Sequence, residues 1–169
     1  MKNFFNLKTI EWKKGKVLLL DQRLLPKKLK FIELKNYREV AYAISNMIVR
    51  GAPAIGVAAA MGLALVAYHS KEKKKERLMK ELKKAYRVLK NTRPTAINLF
   101  WAIERVLSKA EIASGNIESI KKSIVDEACK IAEEDFITNI KLGEEGSKLL
   151  ENGDTVLTHC KWLLKALSA

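Results

Sequence analysis

The longest apolar run in the sequence is the feature that most limits the fold. It extends from Ala52 to Tyr68 and contains Pro53, two glycines and many alanines. Because a membrane-spanning helix needs about 20 mostly apolar residues, this run is short for a bilayer and favours a helix buried in a protein core. Gly56 and Ala64 lie eight residues apart, with Ala60 between them, so we expect a stripe of small residues on which another helix packs closely.

Helical patterns extend on both sides of this run. Asn36 followed by Glu39 is typical of a helix start in which the two side chains bind backbone amides. Pro53 is predicted at the first position of the central helix, where its missing N–H has no partner to lose. Apolar residues at helical spacing predict a helix after Asn36 and three more after Tyr68, with breaks at residues 91–94 and 114–116.

Strand patterns occur at the two ends of the sequence. Thr9 to Lys13 and Lys16 to Leu20 are separated by two residues, which predicts a hairpin, and Leu29 to Leu34 predicts a third strand. Thr155 to Thr158 follows a strong turn signal at residues 152–154 and is predicted as the start of a buried strand. We therefore expect a mainly α domain with a small N-terminal antiparallel β-sheet over residues 1–150, and the start of a second domain over residues 151–169.

Composition narrows the class of protein. The 169 residues are 48% hydrophobic and carry a formal net charge of +13, which suits a folded domain with an anionic partner. Lysines cluster at residues 71–75, but no aromatic residues alternate with them, so a solvated helix face is favoured over nucleic-acid binding. Cys129 and Cys160 are the only cysteines, which indicates a reducing, cytoplasmic setting.

Two arginines precede predicted helices and are candidate ligands for an anion. Arg50 comes directly before Gly51 and Ala52, where the first turn of a helix has unpaired N–H groups. Arg93 stands in the break before a later helix. Either arginine can bind phosphate through two parallel hydrogen bonds, or can simply be a solvent-exposed side chain at a loop. The sequence does not decide between these alternatives.

Cys160 ends the predicted strand, where ligands bind in open α/β sheets. A thiol there can act as an acid, a base or a nucleophile, or can be an ordinary buried side chain. His159 is adjacent and would point to the opposite face of a strand, so we do not pair the two. Cys129 is expected in a helix core.

Five stretches of the chain together resemble the methylthioribose-1-phosphate isomerase family in order and spacing. They are residues 10–12, 19–26, 48–60, 92–101 and 156–160, and the two longest are Arg-Gly-Ala-Pro-Ala-Ile-Gly from Arg50 and Thr-Arg-Pro-Thr-Ala-Ile-Asn-Leu-Phe-Trp from Thr92. The resemblance implies an aldose–ketose isomerase of methionine salvage that acts on a sugar phosphate without metal or organic cofactor. It implies that Cys160 is catalytic, that Arg50, Gly51, Ala52 and Arg93 bind substrate, and that the whole enzyme is a homodimer.

The chain departs from this family after Cys160. The family continues with an Asn-x-Gly loop and a Rossmann-like domain that holds a catalytic aspartate, whereas this chain reads Lys161-Trp162-Leu163-Leu164 and ends at Ala169. We therefore expect a truncated chain without isomerase activity. The alternatives are a non-catalytic interaction module like the related translation-initiation exchange-factor subunits, ribose-1,5-bisphosphate isomerase, and a basic nucleic-acid-binding domain.

Overall fold

The computed structural model describes residues 8–155 and Leu157. Its elements are the strands β1 (Ile10–Lys13), β2 (Lys16–Leu20) and β3 (Phe31–Leu34), followed by the helices α1 (Tyr37–Ser45), α2 (Ala52–His69), α3 (Lys75–Lys90), α4 (Ile97–Ile112) and α5 (Ile117–Ser147). The expected architecture, mainly α with a small N-terminal sheet, is confirmed.

The three strands form an antiparallel sheet in the order β1-β2-β3. Ile10 pairs with Leu19 across β1 and β2, and Leu19 pairs in turn with Ile32 of β3. Val17 and Leu19 are fully buried because alternate residues of β2 face the helices. The predicted hairpin and third strand are confirmed, with β3 beginning two residues later than expected.

Helix α2 is the centre of the core and packs most extensively against α4 and α5. Its side chains are buried on almost every face, which explains the continuous apolar run. Within the described part of the chain, α2 alone has the length and composition of a membrane-spanning helix. Because 72% of it is buried inside the protein, its apolar character is also that of a core helix.

The ends of the helices follow the local chemistry of the sequence. The Asn36 side chain accepts hydrogen bonds from the backbone amides of Arg38 and Glu39, both at 3.0 Å, so the predicted cap of α1 is confirmed. The prediction for Pro53 is wrong by one residue: Ala52 is the first residue of α2, and Pro53 is the second. The N–H of either position lacks a helical partner, so proline costs nothing there.

The other end of α2 is held by contacts with the β1–β2 turn and with α5. The His69 ring nitrogen lies 2.8 Å from the carbonyl oxygen of Gly15 in the β1–β2 turn. The ammonium group of Lys121, at the start of α5, donates a hydrogen bond of 2.9 Å to the carbonyl oxygen of Ser70. A cation beside the carbonyl end of a helix is favourable, so these contacts fix the direction of α2 relative to α5.

The strand predicted over residues 155–158 is not found in the part of it that the structure describes. Thr155 and Leu157 belong to no strand, and Leu157 is 97% exposed. A lone strand cannot satisfy its backbone hydrogen bonds without a neighbouring strand. Val156 and Thr158 lie outside the described residues, as does most of the second domain that we expected over residues 151–169.

Candidate functional site

Helix α2 begins with an exposed turn. Gly51 precedes the helix with a φ of 96° and has no side chain with which to cap it. Ala52 and Pro53 are both exposed, so the first turn of the helix faces solvent. This end combines backbone N–H groups with the positive end of the helix dipole, an arrangement that favours anions.

The segment before Gly51 is fixed at its backbone and exposed at its charged side chain. Ile48 and Val49 are buried in the core, whereas Arg50 is exposed. The backbone N–H of Gln22 donates to the carbonyl oxygen of Ile48 at 3.0 Å. The Gln22 side-chain amide donates to the carbonyl oxygen of Arg50 at 3.3 Å. The predicted pair Arg50–Gly51 therefore lies on a constrained loop at the start of α2.

Arg93 lies in the turn between α3 and α4 and is half-buried. The Thr92 hydroxyl donates to the carbonyl oxygen of Leu89 at 2.6 Å, which closes the end of α3. The backbone N–H of Ala96 donates to the carbonyl oxygen of Arg93 at 3.0 Å, just before α4 begins at Ile97. Two hydrogen-bonded turns thus hold the backbone around Arg93.

The second turn of α2 is in backbone contact with the first turn of α4. A β-carbon on Gly56 would lie 2.7 Å from the carbonyl oxygen of Asn98. Non-bonded atoms essentially never come so close to a β-carbon in real proteins. Gly56 is five residues after Gly51, and Asn98 is five residues after Arg93. The two predicted substrate-binding motifs therefore precede helices that touch within their first two turns. The predicted stripe of small residues on α2 acts here as a surface for close packing.

An open cavity of 270 Å³ lies beside this contact, between α2, α4 and α5. Its lining combines apolar and polar side chains: Pro53, Gly56, Val57, Asn98, Trp101, Ile131, Glu134, Asp135 and Thr138. Trp101 is half exposed, and the guanidinium group of Arg105 lies 5.4 Å from the centre of its ring system. Arg105 also donates to Glu127 at 2.7 Å and binds both oxygens of Glu134.

Two acidic side chains, Glu134 and Asp135, line the cavity, and Asp135 is the one whose pKa is shifted mainly by burial. Burial raises the pKa of its carboxyl group, and a hydrogen bond of 3.1 Å from the Asn139 side chain opposes that rise. Neither Asp135 nor Asn98 was assigned a role from the sequence. The one signal for Asp135 was its position four residues after the buried Ile131, on the same face of α5.

Cys160 and the adjacent His159 lie outside the described residues, so the predicted catalytic role of Cys160 stays a prediction. Cys129 lies on α5, as expected, but is half-buried rather than fully enclosed. Burial raises the pKa of its thiol, which makes it less reactive. Within residues 8–155, no group of three or more histidine, cysteine or acidic side chains is placed to hold a metal ion.

Known proteins resemble the chain in sequence and in fold. A putative methylthioribose-1-phosphate isomerase of Pyrococcus horikoshii is 50% identical over 90% of the chain and 42% of its own length. The corresponding Acetivibrio thermocellus enzyme, methylthioribose-1-phosphate isomerase, is 49% identical over 91% of the chain and 45% of its own length. The chain therefore spans less than half the length of these relatives.

Two crystal structures share the fold. The structure of 5-methylthioribose 1-phosphate isomerase from Pyrococcus horikoshii superposes with a TM-score of 0.82 and 49% identity, over 88% of this chain and 42% of that one. The structure described as translation initiation factor eIF-2B subunit delta from A. fulgidus gives a TM-score of 0.80 and 46% identity, over 88% and 43% of the two chains. Residues 48–164 match the sequence pattern of the Initiation factor 2 subunit family, IF-2B, and the chain belongs to this family.

Proposed function

We propose that the chain supplies the sugar-phosphate-binding part of a methylthioribose-1-phosphate isomerase. The observation that supports this proposal is the contact of Gly56 with Asn98, since these residues lie near the starts of the helices that follow Arg50 and Arg93. Relatives named methylthioribose-1-phosphate isomerase, which share about half of the aligned residues with this chain, support the choice of substrate.

Arg50, Gly51, Ala52 and Arg93 are the proposed substrate-binding residues. The first turn of α2 offers N–H groups to a phosphate, and the two guanidinium groups add charge-assisted hydrogen bonds. Gly51 leaves room for the phosphate to approach the backbone because it has no side chain. The net charge of +13 favours the arrival of such an anion from solution.

The reaction that we propose for the whole enzyme converts the aldose 5-methylthioribose 1-phosphate into the ketose 5-methylthioribulose 1-phosphate. Cys160 is the proposed proton carrier at the sugar carbons, together with an acidic group that the longer relatives supply from their remaining length. A water-soluble substrate of this kind fits the expected cytoplasmic location, and a homodimer is proposed for the whole enzyme.

Binding and turnover test this proposal separately. Titration with 5-methylthioribose 1-phosphate, followed by backbone amide NMR, is expected to shift the signals of residues 50–53 and 93–98. Arg50→Met and Arg93→Met should each weaken binding about tenfold or more, as expected for a lost hydrogen bond to a charged group. Arg77→Met is the control, because Arg77 is exposed in the first turn of α3, at the opposite end of that helix from the turn that carries Arg93.

Two results would contradict the proposal. Binding that survives both arginine substitutions removes the proposed phosphate site. Turnover of the sugar phosphate by the 169-residue chain alone refutes our expectation that the chain binds without catalysis.

A second candidate function is a non-catalytic regulatory module. The likeness to the A. fulgidus protein described as eIF-2B subunit delta favours it, since that TM-score of 0.80 nearly equals the value for the isomerase. Such a module would bind a protein partner and no sugar phosphate. A chain that binds neither 5-methylthioribose 1-phosphate nor ribose 1,5-bisphosphate, but co-purifies with a translation-initiation protein, would establish it.

A further inference from the structure

We infer that Gln22 is a positioning residue that holds the Arg50–Gly51 loop in its anion-binding conformation. This inference rests on the proposed function, because it concerns the same loop. Gln22 lies in the short turn after β2 and is 28 residues away from Arg50 in sequence. Its role would be to couple the N-terminal sheet to the first turn of α2.

The contact between Gln22 and the loop has two hydrogen bonds. The backbone N–H of Gln22 donates to the carbonyl oxygen of Ile48 at 3.0 Å, and its side-chain amide donates to the carbonyl oxygen of Arg50 at 3.3 Å. The second bond holds the peptide unit that joins Arg50 to Gly51. The orientation of this peptide sets both the direction of the Arg50 side chain and the φ of 96° at Gly51.

The turn that carries Gln22 is itself held by a buried carboxylate. Asp21 is 5% exposed and accepts hydrogen bonds from Arg23 at its backbone N–H, at 3.2 Å, and at its guanidinium group, at 2.9 and 2.8 Å. The backbone N–H of Asp21 donates to the carbonyl oxygen of Lys30 at 2.9 Å. Gln22 is therefore presented to the loop from a fixed backbone, as a positioning residue requires.

The loop needs such support because its own geometry is costly. Gly51 has φ 96°, and Met47, at the start of the same loop, has φ 55°, which is uncommon for a residue with a side chain. Conformations of this kind persist only where the surroundings hold them. Without the Gln22 side chain, the Arg50–Gly51 peptide loses this hydrogen bond, and ordering the loop then costs more of the binding free energy.

The test compares Gln22→Met, which keeps the length of the side chain without its donor, with Gln22→Glu, which replaces the donor by a carboxylate. Both variants are expected to bind 5-methylthioribose 1-phosphate about two- to tenfold more weakly, the loss associated with one hydrogen bond. Both should also exchange the amide hydrogen of Ile55 faster, because this N–H donates to the carbonyl oxygen of Gly51 at 2.9 Å and depends on the position of the loop. Asn116→Ala is the control for a general loss of stability. It removes an amide side chain that caps the start of α5, next to the end of α2 that is distant from the Arg50–Gly51 loop.

The outcomes separate this inference from the proposed function. If the unmodified chain binds the sugar phosphate and the Gln22 variants bind it equally well, the inference is overturned and the proposed function stands. If the unmodified chain binds no sugar phosphate, the proposed function fails, and unchanged amide exchange at Ile55 in the Gln22 variants would then overturn the holding role of Gln22 as well. An Asn116→Ala variant that loses affinity to the same degree would show that lowered stability alone explains the effect.

Discussion

Gly56 of α2 touches the backbone of Asn98 in α4, with no space for a side chain between them: an added β-carbon would lie 2.7 Å from the Asn98 carbonyl oxygen. The contact is between two backbones, so neither side can yield by changing a rotamer. It therefore limits how closely α2 and α4 approach each other near their N-terminal ends.

Substitution of this glycine is the first prediction. Gly56→Ala should lower the free energy of unfolding by about 1–3 kcal/mol, the usual cost of an extra methyl group in a packed interior. Because the helices must separate to admit the methyl group, affinity for 5-methylthioribose 1-phosphate should fall as well. Urea unfolding and an NMR titration measure the two effects.

Gly62→Ala is the matched control on the same helix. A β-carbon there would lie 3.1 Å from a methyl carbon of Leu89 and 3.3 Å from one of Val40, both on side chains that can adjust. Alanine also favours a helix over glycine by about 1 kcal/mol, which offsets the crowding. Equal stability of the two variants would contradict the role assigned to the Gly56–Asn98 contact.

The second prediction concerns the charge of Asp135. Burial raises the pKa of this carboxyl group in the folded protein, so the ionised form costs stability at neutral pH. Asp135→Asn should therefore raise Tm at pH 7. As the pH falls through the raised pKa towards the unfolded value of about 3.9, the native carboxyl group becomes neutral, and the advantage of the variant should disappear.

Asp126→Asn supplies the comparison for that measurement, since Asp126 is exposed on the same helix. Its carboxylate stays hydrated, so the substitution should change Tm little. A Tm for Asp135→Asn that is equal to or below that of the native chain at pH 7 would show that the cavity stabilises the Asp135 charge.

The third prediction is that the charged form of Asp21 stabilises the fold, so the effect of this carboxyl group on stability depends on pH in the opposite sense to that of Asp135. Hydrogen bonds from the Arg23 side chain lower the pKa of this buried carboxyl group. Its contribution to stability is present above the unfolded pKa of about 3.9 and is lost as the pH falls through the lowered value. Arg23→Met should therefore destabilise the chain at pH 7, and the difference from the native chain should shrink in acid.

Thermal unfolding between pH 2 and pH 7 measures this effect. Arg87→Met, on the exposed face of α3, should reduce Tm far less at any pH in that range. A constant difference between Arg23→Met and the native chain across the range would exclude the ion pair as its cause.

Local sequence patterns were sufficient to predict most elements of the fold. The two-residue link at Lys14-Gly15 fixed the hairpin, and Asn36 with Glu39 fixed the start of α1, because each signal depends only on neighbours in the chain. The strand predicted at residues 155–158 was not found at Thr155 or Leu157, because pairing of a strand depends on residues distant in sequence.

The candidate site was harder to predict for the same reason. Arg50 and Arg93 stood out because each precedes a helix, but only the packing of Gly56 on Asn98 shows that these helices touch near their N-terminal ends. Asp135 is separated from Gly56 by more than seventy residues, and its position on the cavity wall follows from the antiparallel packing of α5 on α2. Gln22 lies in residues 19–26, one of the stretches that resemble the isomerase family, but no role followed from that, since its partner is a backbone carbonyl distant in sequence.

The last prediction separates strain from function at Gly51. Gly51→Ala places a side chain at φ 96°, and the expected loss of stability is of order 1–3 kcal/mol. Gly115→Ala, in the turn before α5, meets the same backbone strain at φ 106° with its nearest neighbouring atom 3.8 Å away. Both variants should therefore unfold at lower urea concentration by similar amounts. Only Gly51→Ala should also lose affinity for 5-methylthioribose 1-phosphate, because its methyl group stands where we propose that the phosphate approaches the first turn of α2. Equal affinities in the two variants would remove Gly51 from the proposed binding site.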